Sequence, residues 1–494
     1  MSSEAVEAML GSRRAFAIAA AGCGKTELLA RFVEDGRSGR QLILTHTHAG
    51  VAALRKRLTK MGVPREKYHL DTIAGWSLKY CAAYPNISGY RLTRAAKPDW
   101  IEIYQGAERV CRSGLGKRVI RESYDGVIVD EYQDCVLKQH AIMTVLGDCI
   151  PCRGVGDPLQ TVFGFRKDDP VIPWDTVWQD FEVIPDALRV PWRWRREGHN
   201  ERLGEWLVAV RKQIETGQHL EIAKDAPVTW LPWTSDEEVK QQAAACSKAG
   251  QFKDSVAAIL RRPNRCPKLA QRLGGRWPIV ERFDDGDLLD LGQNLARAEG
   301  RDVVFALVDF VGARMTKMKS ELSTIVRAVA AGRDVSRIEI HREHADRLYL
   351  LAQDPTPARA LAWLEGVLAH KEWVLYRDEC VYQLRSALRE CMDLGFAKLP
   401  ELVSDARTRA RHRGRLTHRR TIGTPLLLKG LEFDHAVVLW EPEHFSVQEL
   451  YVAITRASKS LTIVSQSRTL CPNQEPRQVQ RQTQEPRQMQ WLTV

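Results

Sequence analysis

Paired cysteines and long apolar runs are scarce in this sequence of 494 residues, and acidic side chains are fewer than basic ones. Its 11 cysteines are scattered, and only Cys149 and Cys152 form a CxxC. A structural zinc site needs two further ligands at matching spacing, and no second pair supplies them. The thiols are therefore expected to be reduced and structural, as in a cytoplasmic protein. The stretch MSSEAVEAMLGSRR contains no apolar h-region, so no signal peptide is expected there. No apolar run approaches the roughly 20 residues of a membrane span, and no membrane partner is expected. Asp and Glu number 62 against 73 Lys and Arg, a net charge of +11. Such a surplus attracts polyanions at long range, and a plainly basic surface is the other reading. The apolar fraction, 44%, is ordinary for a globular protein, and the length allows roughly two to four domains with cores of their own.

The pattern along the chain predicts an α/β protein. RAFAIAAAG, RQLILTHT, DGVIVDEYQD and CRGVGDP each read as a buried strand running into a polar loop. That arrangement suits a parallel sheet with ligand loops at the carboxyl ends of its strands. A second set, APVTWLPW, DSVAAILRR, RWPIVERF, THRRTIGTP, DHAVVLW and SLTIVSQS, predicts a second α/β lobe. Between them KMKSELSTIVRAVAAG, ADRLYLLAQ, PARALAWLEGVLAHKEW and DECVYQLRSALRECMDLG carry helical apolar spacing. The expected organisation is a first lobe over 1–170, with a small insertion at about 80–120. A second lobe follows over 171–295 and 406–470, interrupted by a helical insertion at 296–405. Residues 471–494 repeat QEPRQ and show no apolar periodicity, so a disordered tail is expected.

The most informative segment is Ala19-Ala-Ala21-Gly22-Cys23-Gly24-Lys25-Thr26, placed after an apolar strand and before the helical pattern TELLARFVED. This is the context of a P-loop. Small residues let backbone N–H groups wrap phosphates, Lys25 reaches the β/γ-phosphates and Thr26 holds Mg²⁺. About a hundred residues on, Val127-Ile-Val-Asp130-Glu131 brings two adjacent carboxylates to the end of a buried strand. Asp130 can hold hydrated Mg²⁺ and Glu131 can polarise an attacking water. An acidic turn would account for Asp130 and Glu131 alone, but not for the P-loop upstream.

P-loop, VDEYQD (129–134) and VGDPLQ (155–160) occur in the order of superfamily 1 helicases, and the remainder continues the series. LILTHTHAGVAAL (42–54), DTIAGWS (71–77), LRVPWRWR (188–195), LLLKGLEFDHAVVL (426–439) and ELYVAITRASKSL (449–461) resemble motifs Ia, Ib, IV, V and VI. KGLEF and YVAITRA are specific to the UvrD/Rep branch, and the motifs cover residues 19–461. The resemblance implies two RecA-like P-loop NTPase lobes, a mostly helical insertion in the second, ATP and Mg²⁺ as cofactors, and 3′-to-5′ movement on single-stranded DNA or a duplex with a single-stranded tail. It implies that Gln160 contacts the γ-phosphate and the attacking water. Arg193 and Arg456, both expected in the second lobe, would act as arginine fingers. Trp192 stands where the family has Tyr and would stack on adenine, and Glu432 would help position the nucleotide. For DNA, Phe165 matches the family's base-stacking aromatic, with Phe163 and Arg166 beside it, and core packing is the alternative for both rings. Thr45, His46 and Thr72 are further phosphate-contact candidates. The arginine-rich run from Arg407 to Arg420 reads equally as a backbone-tracking surface or a solvated linker.

This chain departs from the pattern in three places. No Gln precedes the P-loop, Ala74 stands where motif Ib usually has His, and Leu426 stands where motif V usually has His. Its insertions are short as well. In that compactness it resembles the helicase-like subunit of Gabija-type phage-defence systems, which works beside an OLD-family nuclease. The sequence itself holds no nuclease constellation; Asp284-Asp285-Gly-Asp287 reads as a solvated loop.

Overall fold

The computed structural model describes residues 2–91, 99–162, 168–188, 190–234, 237–281, 286–413, 418–442 and 444–473. Contacts divide the chain into two compact units. One comprises Met1–Pro227, Pro442–Thr455 and Arg468–Val494, the other Val228–Glu441 and Arg456–Ser467. Each is built on a parallel sheet, so the fold is α/β with two RecA-like lobes.

In the first unit the strands are β1 (Arg14–Ala19), β2 (Gln41–Thr45), β3 (Tyr68–Thr72), β4 (Gly126–Asp130), β5 (Cys152–Gly156) and β6 (Glu182–Leu188). They lie in the order β3-β2-β4-β5-β1-β6, all parallel. β2, β4 and β5 are buried along their whole length, as parallel strands covered on both faces must be. Gly154 of β5 has no room for a side chain, because a Cβ there would lie 2.6 Å from the Phe16 ring of β1. β4, β5 and β1 are neighbours, so the loops after them share one sheet edge, where ligands of open α/β sheets bind.

Two of these strands were not evident in the sequence. β3 (YHLDT) is short and holds only two apolar residues, and β6 (EVIPDAL) contains a proline. β6 covers the flank of β1, which would otherwise present an unpaired row of N–H and C=O groups. As the edge strand it tolerates Pro185. Residues 171–227, expected to open the second lobe, are therefore grouped with the first sheet. A short strand β7 (Leu220–Glu221) follows.

The second unit contains β8 (Thr229–Pro232), β9 (Val256–Ile259), β10 (Arg420–Gly423), β11 (Phe433–Leu439) and β12 (Ala457–Ser465), in the parallel order β10-β9-β11-β12-β8. Among its described residues RWPIVERF, expected as a strand, makes a single isolated bridge, between Ile279 and Ile422. Pro278 in its middle has no N–H to extend a ladder. Between β9 and β10 runs a block of helices from Asp287–Leu295 to Leu399–Arg413, packed around Leu307, Trp363, Leu384 and Val403. It begins before residue 296 and runs past 405, the expected limits. The first half of the Arg407–Arg420 run belongs to its last helix, where Arg407 is buried. Back in the first unit, β13 (Thr469–Leu470) pairs antiparallel with β7.

Cys149 and Cys152 are both buried and free. Among the described residues, no group of three or more His, Cys, Asp or Glu side chains could hold a metal ion, and no helix is long and apolar enough to cross a membrane. The repeat-bearing residues 474–494 and the acidic pair Asp284-Asp285 lie outside the described residues.

Candidate nucleotide site

The loop after β1 turns sharply through two glycines into a helix. Gly22 and Gly24 take φ of 70° and 99°, values that favour glycine, and the helix Lys25–Glu34 begins directly after them. Gly22 is constrained twice. A Cβ there would also lie 2.5 Å from the Trp194 ring. Cys23 points inward, its Sγ donating to the Ala21 carbonyl, and burial pushes its thiol up to about 11. The loop residue is therefore a packed thiol, not a reactive thiolate. Ala21 is buried, and Thr26 lies in the first turn of the helix.

Lys25 and the β4 carboxylates come together. Its Nζ lies 3.0 Å from Glu131 Oε2, with the two side chains 11% and 30% exposed. Burial opposes the ammonium charge. The carboxylates of Glu131, Asp157 and Asp130 outweigh it and hold Lys25 above its ordinary value. Asp130 is buried at the end of β4, and burial, then the charge of Glu131, raise its carboxyl above the usual range against the pull of Lys25. Asp130 Oδ1 is a buried oxygen with no hydrogen-bond partner. An orphaned carboxylate oxygen is costly unless a cation or donor completes it, so the residues fit a bound Mg²⁺. Glu131 adopts φ 55°, a left-handed conformation that costs a non-glycine residue roughly 1–2 kcal/mol. This reversal turns its carboxylate back toward Lys25.

The loop after β5 joins the same edge through Gln160, which the motif reading singled out, and through Gln133, Asp157 and Arg211, which it did not. Gln133 is fully buried; its Nε2 donates to Glu131 Oε2 and its Oε1 accepts from the Asp157 N–H at 3.0 Å. Gln160 Nε2 donates to Asp157 Oδ2 at 2.8 Å. The other Asp157 oxygen accepts from Arg211 at 2.7 Å, and Arg211 also donates to the Tyr451 hydroxyl at 3.1 Å. Arg211 sits in the helix Glu201–Glu215 with no motif to mark it, whereas Gln133 and Tyr451 lie inside the helicase-like motifs.

Arg193 belongs to the first unit, not the second lobe where it was expected. Its N–H donates to the Gly22 carbonyl at 3.0 Å and its guanidinium to the Thr455 carbonyl at 2.6 Å. The reason is β6: the chain leaves that strand beside β1 and runs directly over the P-loop. The same bonding brings Trp192 beside Gly24, where a Cβ would lie 3.4 Å from its ring, and leaves Trp192 56% exposed.

Arg456 lies in the second unit, almost completely buried, with its guanidinium donating to the Leu431 carbonyl at 3.1 Å. Glu432, also in the second unit, is exposed. Thr45 and Thr72 are both buried, and the Thr72 hydroxyl caps the helix Ile73–Ala83 by accepting from the Gly75 N–H at 2.9 Å. His46 Nε2 lies 3.7 Å from Cys135 Sγ. Phe163, Phe165 and Arg166 lie outside the described residues.

Residues 94–172 match the family model of the UvrD/REP helicase N-terminal domain. That span contains the VDEYQD and GDPLQ segments and excludes the P-loop. No curated protein matches this chain. Among solved structures, the complex of Arterivirus nonstructural protein 10 (helicase) with DNA aligns at 13% identity and TM-score 0.33, over 94% of this chain and 63% of that one. Escherichia coli DEAH/RHA helicase HrpB aligns at 8% identity and TM-score 0.37, over 96% of this chain and 43% of that one. This chain therefore spans less than two thirds of the length of either structure.

Proposed function

We propose that this chain is a DNA-stimulated ATPase of the helicase type, translocating 3′-to-5′ on single-stranded DNA or on a duplex with a single-stranded tail. The observation that carries this reading is the meeting of Lys25, Asp130 and Glu131 at one sheet edge, with an orphaned oxygen on Asp130. Lys25 and the loop N–H groups bind the triphosphate. Thr26 and Asp130 would hold Mg²⁺, which screens phosphate charge when bound. Glu131 polarises the attacking water and Gln160 orients it. Trp192 offers an exposed ring to the base, and Arg193 lies near enough to the loop to neutralise phosphate charge. Arg456 and Glu432 keep the roles the motif resemblance implies, and Phe163, Phe165 and Arg166 keep the DNA contact. The match over residues 94–172 and the net charge of +11 support a nucleic-acid track.

ATP turnover should be measured with and without single-stranded DNA, alongside streptavidin displacement from 3′- and 5′-biotinylated strands. DNA-stimulated turnover with displacement from one end only, both abolished by Lys25→Ala, is the expected result. Turnover without displacement would instead identify a nucleotide-switched subunit, such as one serving a nuclease. Turnover that survives Lys25→Ala would remove the site altogether.

A further inference from the structure

Directly after Glu131 the chain buries a hydroxyl that the proposed chemistry does not use. Tyr132 is fully buried, its ring packed edge-on against Phe16 and Phe181 at centroid distances of 5.6 and 5.3 Å. Its hydroxyl lies 2.8 Å from His140 Nδ1, and His140 Nε2 lies 2.8 Å from Asp180 Oδ2. His140 is on the helix Leu137–Cys149, whereas Asp180 ends the helix Trp174–Asp180, with its side chain 31% exposed.

The bonding has one direction. An ionised carboxylate only accepts, so the proton of a neutral imidazole sits on Nε2 and faces Asp180. Nδ1 is then left as an acceptor, and the Tyr132 O–H donates to it. Burial keeps His140 neutral by lowering its pKa, although Asp180 pulls the other way. Each group is satisfied only if the next is held in place.

We propose that Tyr132, His140 and Asp180 form a positioning relay that fixes the Glu131 carboxylate for catalysis. Glu131 occupies the left-handed conformation, a strained state that persists only where the surroundings over-determine it. The residue on its N-terminal side ends β4. The residue on its C-terminal side is Tyr132, tied by its hydroxyl to His140 and through His140 to Asp180, on two helices outside the sheet. A phenylalanine would fill the same volume but let the turn relax about its ring. The relay rests on the reading of Glu131 as the group that polarises water, and the three residues act through it without touching substrate.

The test uses the full chain and single-stranded DNA-stimulated ATP turnover per folded molecule. Tyr132→Phe should lower kcat by about fivefold, the worth of one hydrogen bond, and leave KM for ATP within about twofold. In a Glu131→Gln background the same change should alter the residual kcat by less than about 1.5-fold, because the group being positioned is gone. Asp180→Ala cuts the relay at its solvated end and should give the same pattern, which keeps the test open if Tyr132→Phe folds poorly. An unchanged kcat in both variants would overturn the relay. So would equal losses in both backgrounds, or a KM that rises with the fall in kcat, since either marks general loosening. Wild-type turnover in Glu131→Gln alone would overturn the reading of Glu131 itself, a result distinguishable from failure of the relay.

Discussion

Glu131→Gln separates binding from chemistry more sharply than any other change at this site. Lys25 is paired with Glu131 at 3.0 Å, so an incoming triphosphate must draw the ammonium away from that carboxylate. A partly exposed ion pair of this kind is worth about 1 kcal/mol, or about fivefold in affinity. The glutamine keeps the shape and releases most of that attraction, so ATP should bind as well as before or up to about fivefold more tightly. Hydrolysis should fall by about 10²–10⁴, the usual contribution of a positioned general base. Fluorescent-nucleotide titration in the presence of Mg²⁺ gives the affinity, and a coupled assay gives kcat. An affinity loss of about tenfold or more would show that Glu131 holds the metal. A kcat within about threefold of wild type would show that another group activates the water.

Gly22→Ala should abolish nucleotide binding and cost about 2 kcal/mol or more in urea unfolding, because its Cβ would meet Trp194 at 2.5 Å in a left-handed backbone. Wild-type stability would refute that packing. Trp192→Ala should weaken ATP binding by roughly tenfold if the exposed ring carries a base stack. Its melting temperature should not change, because the side chain is 56% exposed; a large drop in melting temperature would make Trp192 a packing residue. In the helical block, burial, then the charges of Arg347 and the neighbouring histidines, lower His344 from 6.5 to about 4. Its unfolded form therefore binds protons more tightly than its folded form, so stability is full above about pH 6.5 and is lost as pH falls toward 4. Thermal melts across that range should show the loss, and His344→Gln should flatten it.

The sequence by itself determined what depends on local spacing. The strand–loop–helix course through Ala19 to Thr26 was readable because an apolar run, a stretch of small residues and a helical pattern follow one another without a break. Asp130 and Glu131 were readable because two adjacent carboxylates close a buried apolar run, and charge at such a strand end needs a cation or water to meet it. The β1, β2, β4, β5, β8, β9, β10, β11 and β12 strands each fall in a stretch whose pattern predicts a strand, and most of the helical block showed itself by its 3.6-residue period. Tertiary structure alone decided the rest. β6 carries a proline and weak alternation, and it forms a strand because β1 needed a partner, which in turn groups Arg193 with the P-loop. RWPIVERF had the apolar content of a strand but not the donor its central proline removed. Arg211 meets Asp157 across 54 positions and Tyr451 across 240, separations at which no local pattern can register a contact. The orphaned Asp130 oxygen and the chain of bonds from Tyr132 to Asp180 also belong to packing. Sequence names the donors and acceptors, but burial and the neighbours in space decide which remain unsatisfied and which are held.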